Sequence, residues 1–598
     1  MKIKARFILI ILLASLFSAT TLTSCVHRKV PSEDLFFQAL ELSSSGSIKD
    51  AASTYAECII RRDEWADIAS EQLLELLSEH PYTDISRNIR DAINIAHEYH
   101  PVKQTTLRIK QDFPVTFSAL TLSGFSQVEL DDVASSWLTK ADDKRTAAML
   151  LEEAADLKDT RAPTGTSAAE KWSLLFYAGR LYEKNGAATR QEALSCYTRA
   201  CAEAYSELTY DRPLWYFLEL TRKSNSQNAA AKLQNYSSTW NNPEYFDDFL
   251  DRLASDLLSG YNWKTFFRVF RENEAFFSNA SRAKYAVICA RLLECGLCSD
   301  ADAGGNAAET AAELYETALE NAPFGSYYDL LARFMTGTPF TAQFTVSESS
   351  SAESDVSFTE RLLGKFIEHD YPDLAWRTLQ RDCGTFSTQS IQEAYTYLLS
   401  KADAESRFRP LTSLALQTAR TRPGDETLMK LSFPQYYREL IEDEARQYGL
   451  EPWILFALIH SESCFQADIT SAAGAHGLTQ LMEATAGDVA RKLKIAEYDL
   501  NDAATNVRFG SFYLSELTGR LDGDTLLAAF SYNAGITRVR NWRRKTPNLP
   551  LDIFLETVPY EETRLYGQKI LRSAVMYGML YYGEDYADIM ESILKIPY

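Results

Sequence analysis

From about Leu35 to Arg420 the chain is one helical pattern after another. Apolar residues recur at three- and four-residue spacing, proline is sparse, and no stretch alternates as a strand would. That periodicity restricts the chain to an all-α fold. Small and aromatic residues fall at matched places in successive patterns. One group has Leu35, Ala39 and Leu42, then Gly46, then Ala51, Tyr55 and Cys58. A second has Leu175, Gly179 and Tyr182, then Gly186, then Ala193, Tyr197 and Ala200. A third ends with Ala311, Tyr315, Ala318 and Pro323. Small residues let paired helices approach closely, and aromatics fill the gap between pairs.

These groups resemble degenerate tetratricopeptide repeats, whose period is about 34 residues. The matches are partial, so the expectation over 26–420 is an irregular, TPR-like α-superhelix. Each pair buries against its neighbours a face that it cannot bury alone. Such stacks bind partners or scaffold another domain, and carry no chemistry themselves. The polar, Ser/Glu-rich stretch 346–357 (VSESSSAESDVS) reads as a flexible loop in this region.

At 598 residues the chain exceeds one ordinary domain. Its net charge of -21 lacks the basic footprint that nucleic acid requires. The N-terminus reads as a targeting segment. Lys2, Lys4 and Arg6 precede an apolar run from Phe7 to Phe17, too short to span a membrane comfortably. Leu22-Thr23-Ser24-Cys25 follows and resembles the lipobox of bacterial lipoproteins. Residues 1–25 are then a signal peptide, and a lipidated Cys25 would anchor an exported chain to a membrane. Val26 is not the acidic residue that retains some lipoproteins at the inner membrane, so the expectation is the outer membrane. No metal is implied. Cys295-Gly296-Leu297-Cys298 is a lone pair, and His97-Glu98-Tyr99-His100 misses the four-residue histidine spacing of a zinc helix.

A second break, Thr421-Arg422-Pro423-Gly424-Asp425, precedes a new pattern assigned to a domain at 431–598. Tyr436 to Tyr448 is amphipathic, Gly449 ends that helix and Pro452 opens the next. The next helix is apolar from Trp453 to Ile459 and carries Glu462 near its end. Burial there disfavours the anion and raises the carboxyl pKa, which suits a general acid. A capping or salt-bridged glutamate is the ordinary alternative for such a position.

Four motifs weigh against that alternative. They are Glu462-Ser463 with Phe465 and Ser471; Gly477-Leu478-Thr479-Gln480-Leu481-Met482; Phe530-Ser531-Tyr532-Asn533-Ala534-Gly535; and Val558-Pro559-Tyr560-Glu561-Glu562-Thr563-Arg564-Leu565-Tyr566. In this order the segment from Phe433 to Tyr582 resembles the catalytic domain of the soluble lytic murein transglycosylases, which share the goose-type lysozyme fold. The resemblance implies a lysozyme-like, mainly helical catalytic domain with peptidoglycan as substrate and no cofactor. It implies Glu462 as the single acid and base, with Ser471, Gln480, Met482, Tyr532, Asn533 and Glu562 lining the sugar groove. Ser471 would orient the acetamido group and Gln480 bond a hydroxyl or amide. Tyr532 would hold the acetamido carbonyl or Glu462 itself. For Glu562, a salt bridge to Arg564 is the structural alternative. The segment departs from the family at Ile469, Thr479, Ser531 and Gly567, where a small residue, Met, Ala and Val are common.

The expected reaction is cleavage of the MurNAc-β-1,4-GlcNAc bond with a 1,6-anhydro product. Two other readings remain open at this point: an inactive scaffold lipoprotein whose repeats recruit cell-wall proteins, and a muramidase that hydrolyses the same bond.

Overall fold

The computed structural model describes residues 30–80, 86–99, 117–157, 170–204, 207–340, 356–401, 404–422 and 424–596. The signal segment with Cys25, and residues 346–355 of the Ser/Glu-rich loop, lie outside the described residues. No helix among those described is long and apolar enough to cross a membrane. The chain divides into two compact units, Met1–Leu107 and Arg108–Tyr598.

The first unit is a helical stack. Its helices Ser32–Ser44 and Ile48–Ile60 are joined through Gly46, whose φ of 82° is the left-handed turn that glycine allows. Leu35, Ala39, Ala51, Tyr55 and Cys58 are buried, as their spacing predicts. Phe36 packs its ring against Tyr55 and Trp65, with centroids 6.0 and 5.4 Å away.

The second unit continues with helix pairs and ends in the segment that carries the four motifs. In the pair Lys171–Asn185 and Arg190–Glu203 the small residue has a visible purpose. A Cβ on Gly179 would lie 2.6 Å from the Tyr197 ring, so glycine lets that buried tyrosine seat between the helices. The all-α expectation holds. The described residues contain one small sheet, Ala475–His476 antiparallel to Leu481–Met482.

The motif-bearing segment is built around the helix Pro452–Glu462. Ile454 through Ile459 are all buried, so this helix is apolar on every side and must be central. It packs along the helix Glu561–Tyr577, where Phe456 stacks on Tyr577 with centroids 5.1 Å apart. The repeats and this segment meet through buried polar links. Arg291 pairs with Asp552 at 2.5 Å, Arg564 donates to Ser255 Oγ at 2.6 Å, and Tyr328 donates to Glu556 at 3.1 Å.

Candidate active site

The local sequence explains how Glu462 is presented. Gly449, at φ 65°, caps the helix Arg438–Tyr448, and Pro452 starts the next at a position where no amide is needed. That helix stops at Glu462. Cys464 and Phe465 then take φ values of 52° and 63°, two consecutive side-chain-bearing residues in the left-handed region. Such positions each cost about 1–2 kcal/mol and persist where the surroundings impose them. The sharp turn leaves the acid at the end of the central helix instead of inside it.

Glu462 is half-buried. Burial pushes its pKa up from 4.5 to about 7, against the opposing hydrogen bond from Tyr566, with Glu562 raising it further and Arg409 lowering it. The Tyr566 hydroxyl donates to Glu462 Oε1 at 2.7 Å. Tyr566 and Tyr532 are both held protonated by burial and next by the nearby charge of Glu462. Two residues before Glu462, His460 is enclosed by Phe433, Phe465 and Tyr577. Burial, and then the charges of Arg572, Arg409 and Lys569, lower its pKa to about 3, so it is neutral and unsuited to carry protons near pH 7.

The residues expected to line the groove come from three places in the chain. Ser471, Gln480 and Met482 lie on the loop and hairpin after the acid helix. Ser471 Oγ accepts from the Ala475 amide at 3.0 Å, and the Gln480 side chain donates to Ile469 O and Gly477 O at 3.1 and 2.8 Å. These bonds shape the loop. Met482 is 44% exposed, an apolar surface beside it. Tyr532 and Asn533 come from the helix Thr525–Ala534. Tyr532 donates to Thr479 O at 2.9 Å, and Asn533 Oδ1 accepts from Thr563 at 2.7 Å. The hydroxyl bonded to the acid is therefore that of Tyr566. Glu562 is exposed and makes no ion pair among the described residues, since Arg564 turns to Ser255 and to Val558 O. Asp468 is exposed on the loop.

Tyr566 had a place in the fourth motif but no assigned role. Its signal was available: it lies four residues after Glu562, so both fall on one helix face. Arg409 had no local signal. From the repeat-side helix Ala404–Thr421 it donates to the backbone carbonyl of Glu462 at 3.0 Å. That carbonyl belongs to the last turn, where the helix leaves its own acceptors unpartnered. The guanidinium thus clamps the end of the acid helix and favours the anionic form of its carboxyl. Arg409→Ala should move the fall in activity with rising pH to higher pH, because a cation that lowers the Glu462 pKa is gone. A pH profile of kcat that stays in place would oppose this assignment.

Two family departures have structural causes. The Thr479 hydroxyl donates to Asn506 Oδ1 at 2.7 Å, and that oxygen also accepts from the Thr479 amide at 2.8 Å. At Gly567 a Cβ would lie 2.3 Å from the Phe530 ring, so the ring fills the space that a larger residue needs. Gly567→Val should destabilise the protein by about 1–3 kcal/mol through overpacking, read as a lower urea midpoint. Pairing it with Phe530→Leu should recover part of that loss.

Residues 439–554 match the model of the Transglycosylase SLT domain, so the likeness to the soluble lytic murein transglycosylases holds over the segment that carries Glu462. Individual relatives agree. A putative soluble lytic murein transglycosylase of Haemophilus influenzae is 31% identical over 156 residues, 25% of this chain and 26% of the relative. The soluble lytic murein transglycosylase of Salmonella typhimurium is 29% identical over 150 residues, 24% of this chain and 23% of the relative. The chain thus spans about a quarter of the length of these curated relatives. An inactive mutant of the lytic transglycosylase Slt from Pseudomonas aeruginosa superposes with a TM-score of 0.47 at 19% identity, over 93% of this chain and 87% of that one.

Proposed function

We propose that this protein is a peptidoglycan lytic transglycosylase that cleaves the MurNAc-β-1,4-GlcNAc bond and leaves 1,6-anhydro-MurNAc ends. The observation that carries the reading is a half-buried carboxyl at the end of the central helix, poised near pKa 7 and bonded to Tyr566. An acid with that pKa is largely protonated at slightly acidic pH and still able to act as a base after giving up its proton.

The steps follow from one carboxyl used twice. Protonated Glu462 donates to the glycosidic oxygen as the bond to the anomeric carbon breaks. The substrate's 2-acetamido carbonyl stabilises that carbon, a recognised alternative to a second enzyme carboxylate. The Tyr566 hydroxyl stabilises the resulting Glu462 anion. Glu462 then takes the proton of the sugar's C6 hydroxyl, whose oxygen closes on the anomeric carbon. Ring closure within one sugar has a large entropic advantage over capture of free water. Ser471, Gln480, Met482, Tyr532, Asn533 and Glu562 are proposed to flank the sugars.

The same reading assigns residues 1–25 to a lipoprotein signal, 26–420 to the superhelix and 431–598 to the catalytic domain. It places the chain in the periplasm, lipid-anchored through Cys25, with other cell-wall proteins as candidate partners of the repeats. Digestion of purified peptidoglycan followed by mass spectrometry tests the activity. Anhydro-muropeptides support it, and reducing ends would make the protein a muramidase.

A further inference from the structure

Away from Glu462, a cleft of about 400 Å3 opens between the turn at Tyr261–Trp263 and the segment Lys545–Pro550. That volume falls in the range of roughly 300–1,000 Å3 that holds a small organic ligand. Its two walls differ in chemistry.

The first wall is aromatic and strained. The turn after the helix Asp247–Ser259 places its glycine at 260 with an ordinary φ of -85°, so the left-handed position passes to Tyr261, at φ 58°. A side-chain-bearing residue there costs about 1–2 kcal/mol. Folding gains little in return, because the Tyr261 ring is 44% exposed. Its neighbour is the half-buried Trp263, with ring centroids 5.7 Å apart and planes tilted by 53°. Two adjoining open rings suit the C–H face of a pyranose, which packs on an aromatic face.

The second wall carries one charge, Lys545, the last residue of a basic helix. The helix Ile536–Lys545 carries Arg538, Arg540, Arg543, Arg544 and Lys545 in ten residues. None of the five makes an ion pair among the described residues, although the chain as a whole has a net charge of -21. Arg543 instead donates to Thr546 O at 3.1 Å and Leu549 O at 2.6 Å, which braces the cleft loop. Arg540 donates to Arg520 O and Arg544 to Asn541 Oδ1. Arg538 and Arg543 lie over the rings of Tyr560 and Phe554, so Lys545 is the cation that reaches the cleft.

We propose that this cleft is a second glycan–peptide site. Tyr261 and Trp263 receive the face of an N-acetylated sugar, and Lys545 pairs with a carboxylate of the attached peptide. The choice of occupant rests on the reading of the chain as a peptidoglycan enzyme. Such a site holds a strand to the protein while the groove at Glu462 engages another part of it.

Calorimetric titration of the full chain carrying Glu462→Gln with purified GlcNAc–MurNAc-tetrapeptide, at low salt, tests the site. Two bound ligands should fall to one in Tyr261→Gly combined with Lys545→Gln. Glycine suits the left-handed backbone at 261, so this variant should keep its melting temperature. If the Glu462 groove binds nothing, the count should fall from one to zero, and the catalytic reading fails while this site stands. Lys545→Gln alone should weaken the cleft at least threefold. An unchanged count with affinities within twofold overturns the proposal, as does absence of binding by the parent chain. A neutral chito-oligosaccharide that binds as tightly as the muropeptide, and ignores Lys545→Gln, overturns the carboxylate contact.

Discussion

Glu462→Gln should lower glycan cleavage by roughly 10^3-fold, the usual scale for loss of a general acid and base. It should also make the protein more stable at alkaline pH. The folded-state pKa of Glu462 is raised by burial, from 4.5 to about 7. The carboxyl's favourable contribution is therefore complete below about pH 4.5 and is lost as pH rises through 7, because folding then buries an anion. A neutral glutamine escapes that penalty. Each pKa unit corresponds to about 1.4 kcal/mol. Discounted for the half-exposed setting, the variant should gain roughly 2 kcal/mol over wild type between pH 4 and pH 8. Denaturant midpoints at the two pH values check the gain, and muropeptide analysis checks the loss. A variant that is both inactive and less stable at pH 8 would argue for structural damage. Retained cleavage would remove Glu462 from its role. The wild-type rate should decline as pH rises through about 7, since the reaction begins from the protonated acid.

The second large effect concerns the link between the repeats and the motif-bearing segment. Arg291 lies between Asp552, only 1% exposed, and Glu294, and Tyr315 donates to Glu294 at 2.8 Å. Burial weakens the guanidinium's charge, but the attraction of Asp552 prevails and raises the Arg291 pKa. Arg291→Met strands the Asp552 carboxylate in a dry site and should cost about 3–5 kcal/mol. Asp552→Asn should cost less, because Glu294 still accompanies the arginine. The double variant Arg291→Met with Asp552→Leu should recover most of the loss, since apolar groups of similar size need no partner. Thermal unfolding of the three proteins decides this. Equal costs for both single variants would mean that Glu294 does not compensate.

The parts of the fold that depend on near neighbours were legible. Helical spacing placed Tyr55 and Tyr197 in the core, and Gly449 and Pro452 marked the end of one helix and the start of the acid helix. Glu462 was legible as well, because an ionisable group closing an apolar run is a local anomaly. Tyr566 was within reach through its spacing from Glu562. The rest depends on parts of the chain that meet only on folding. Nothing beside Arg409 signals the helix end 53 residues later. Gly567 stands where the resemblance makes Val common, and only the folded chain shows Phe530 filling that space. The resemblance leaves Tyr532 either the acetamido carbonyl or Glu462, and the hydroxyl that bonds the acid is that of Tyr566. Spacing identifies which helix faces a site, but not which of two tyrosines reaches it.

The polar seam between the repeats and residues 431–598 bears on how portable this motif-bearing segment is. Glu556, 3% exposed, accepts from Tyr328, and Gln568 donates to both. Arg291, Tyr328, Ser255 and Arg409 all lie outside 431–598. A cut there would send Asp552 and Glu556 into solvent from sites shaped for partners, and free the carbonyl that ends the acid helix. The segment is therefore not a cassette that recombination can graft onto new scaffolds without rewriting its underside. A graft would need matching changes on both faces of the seam.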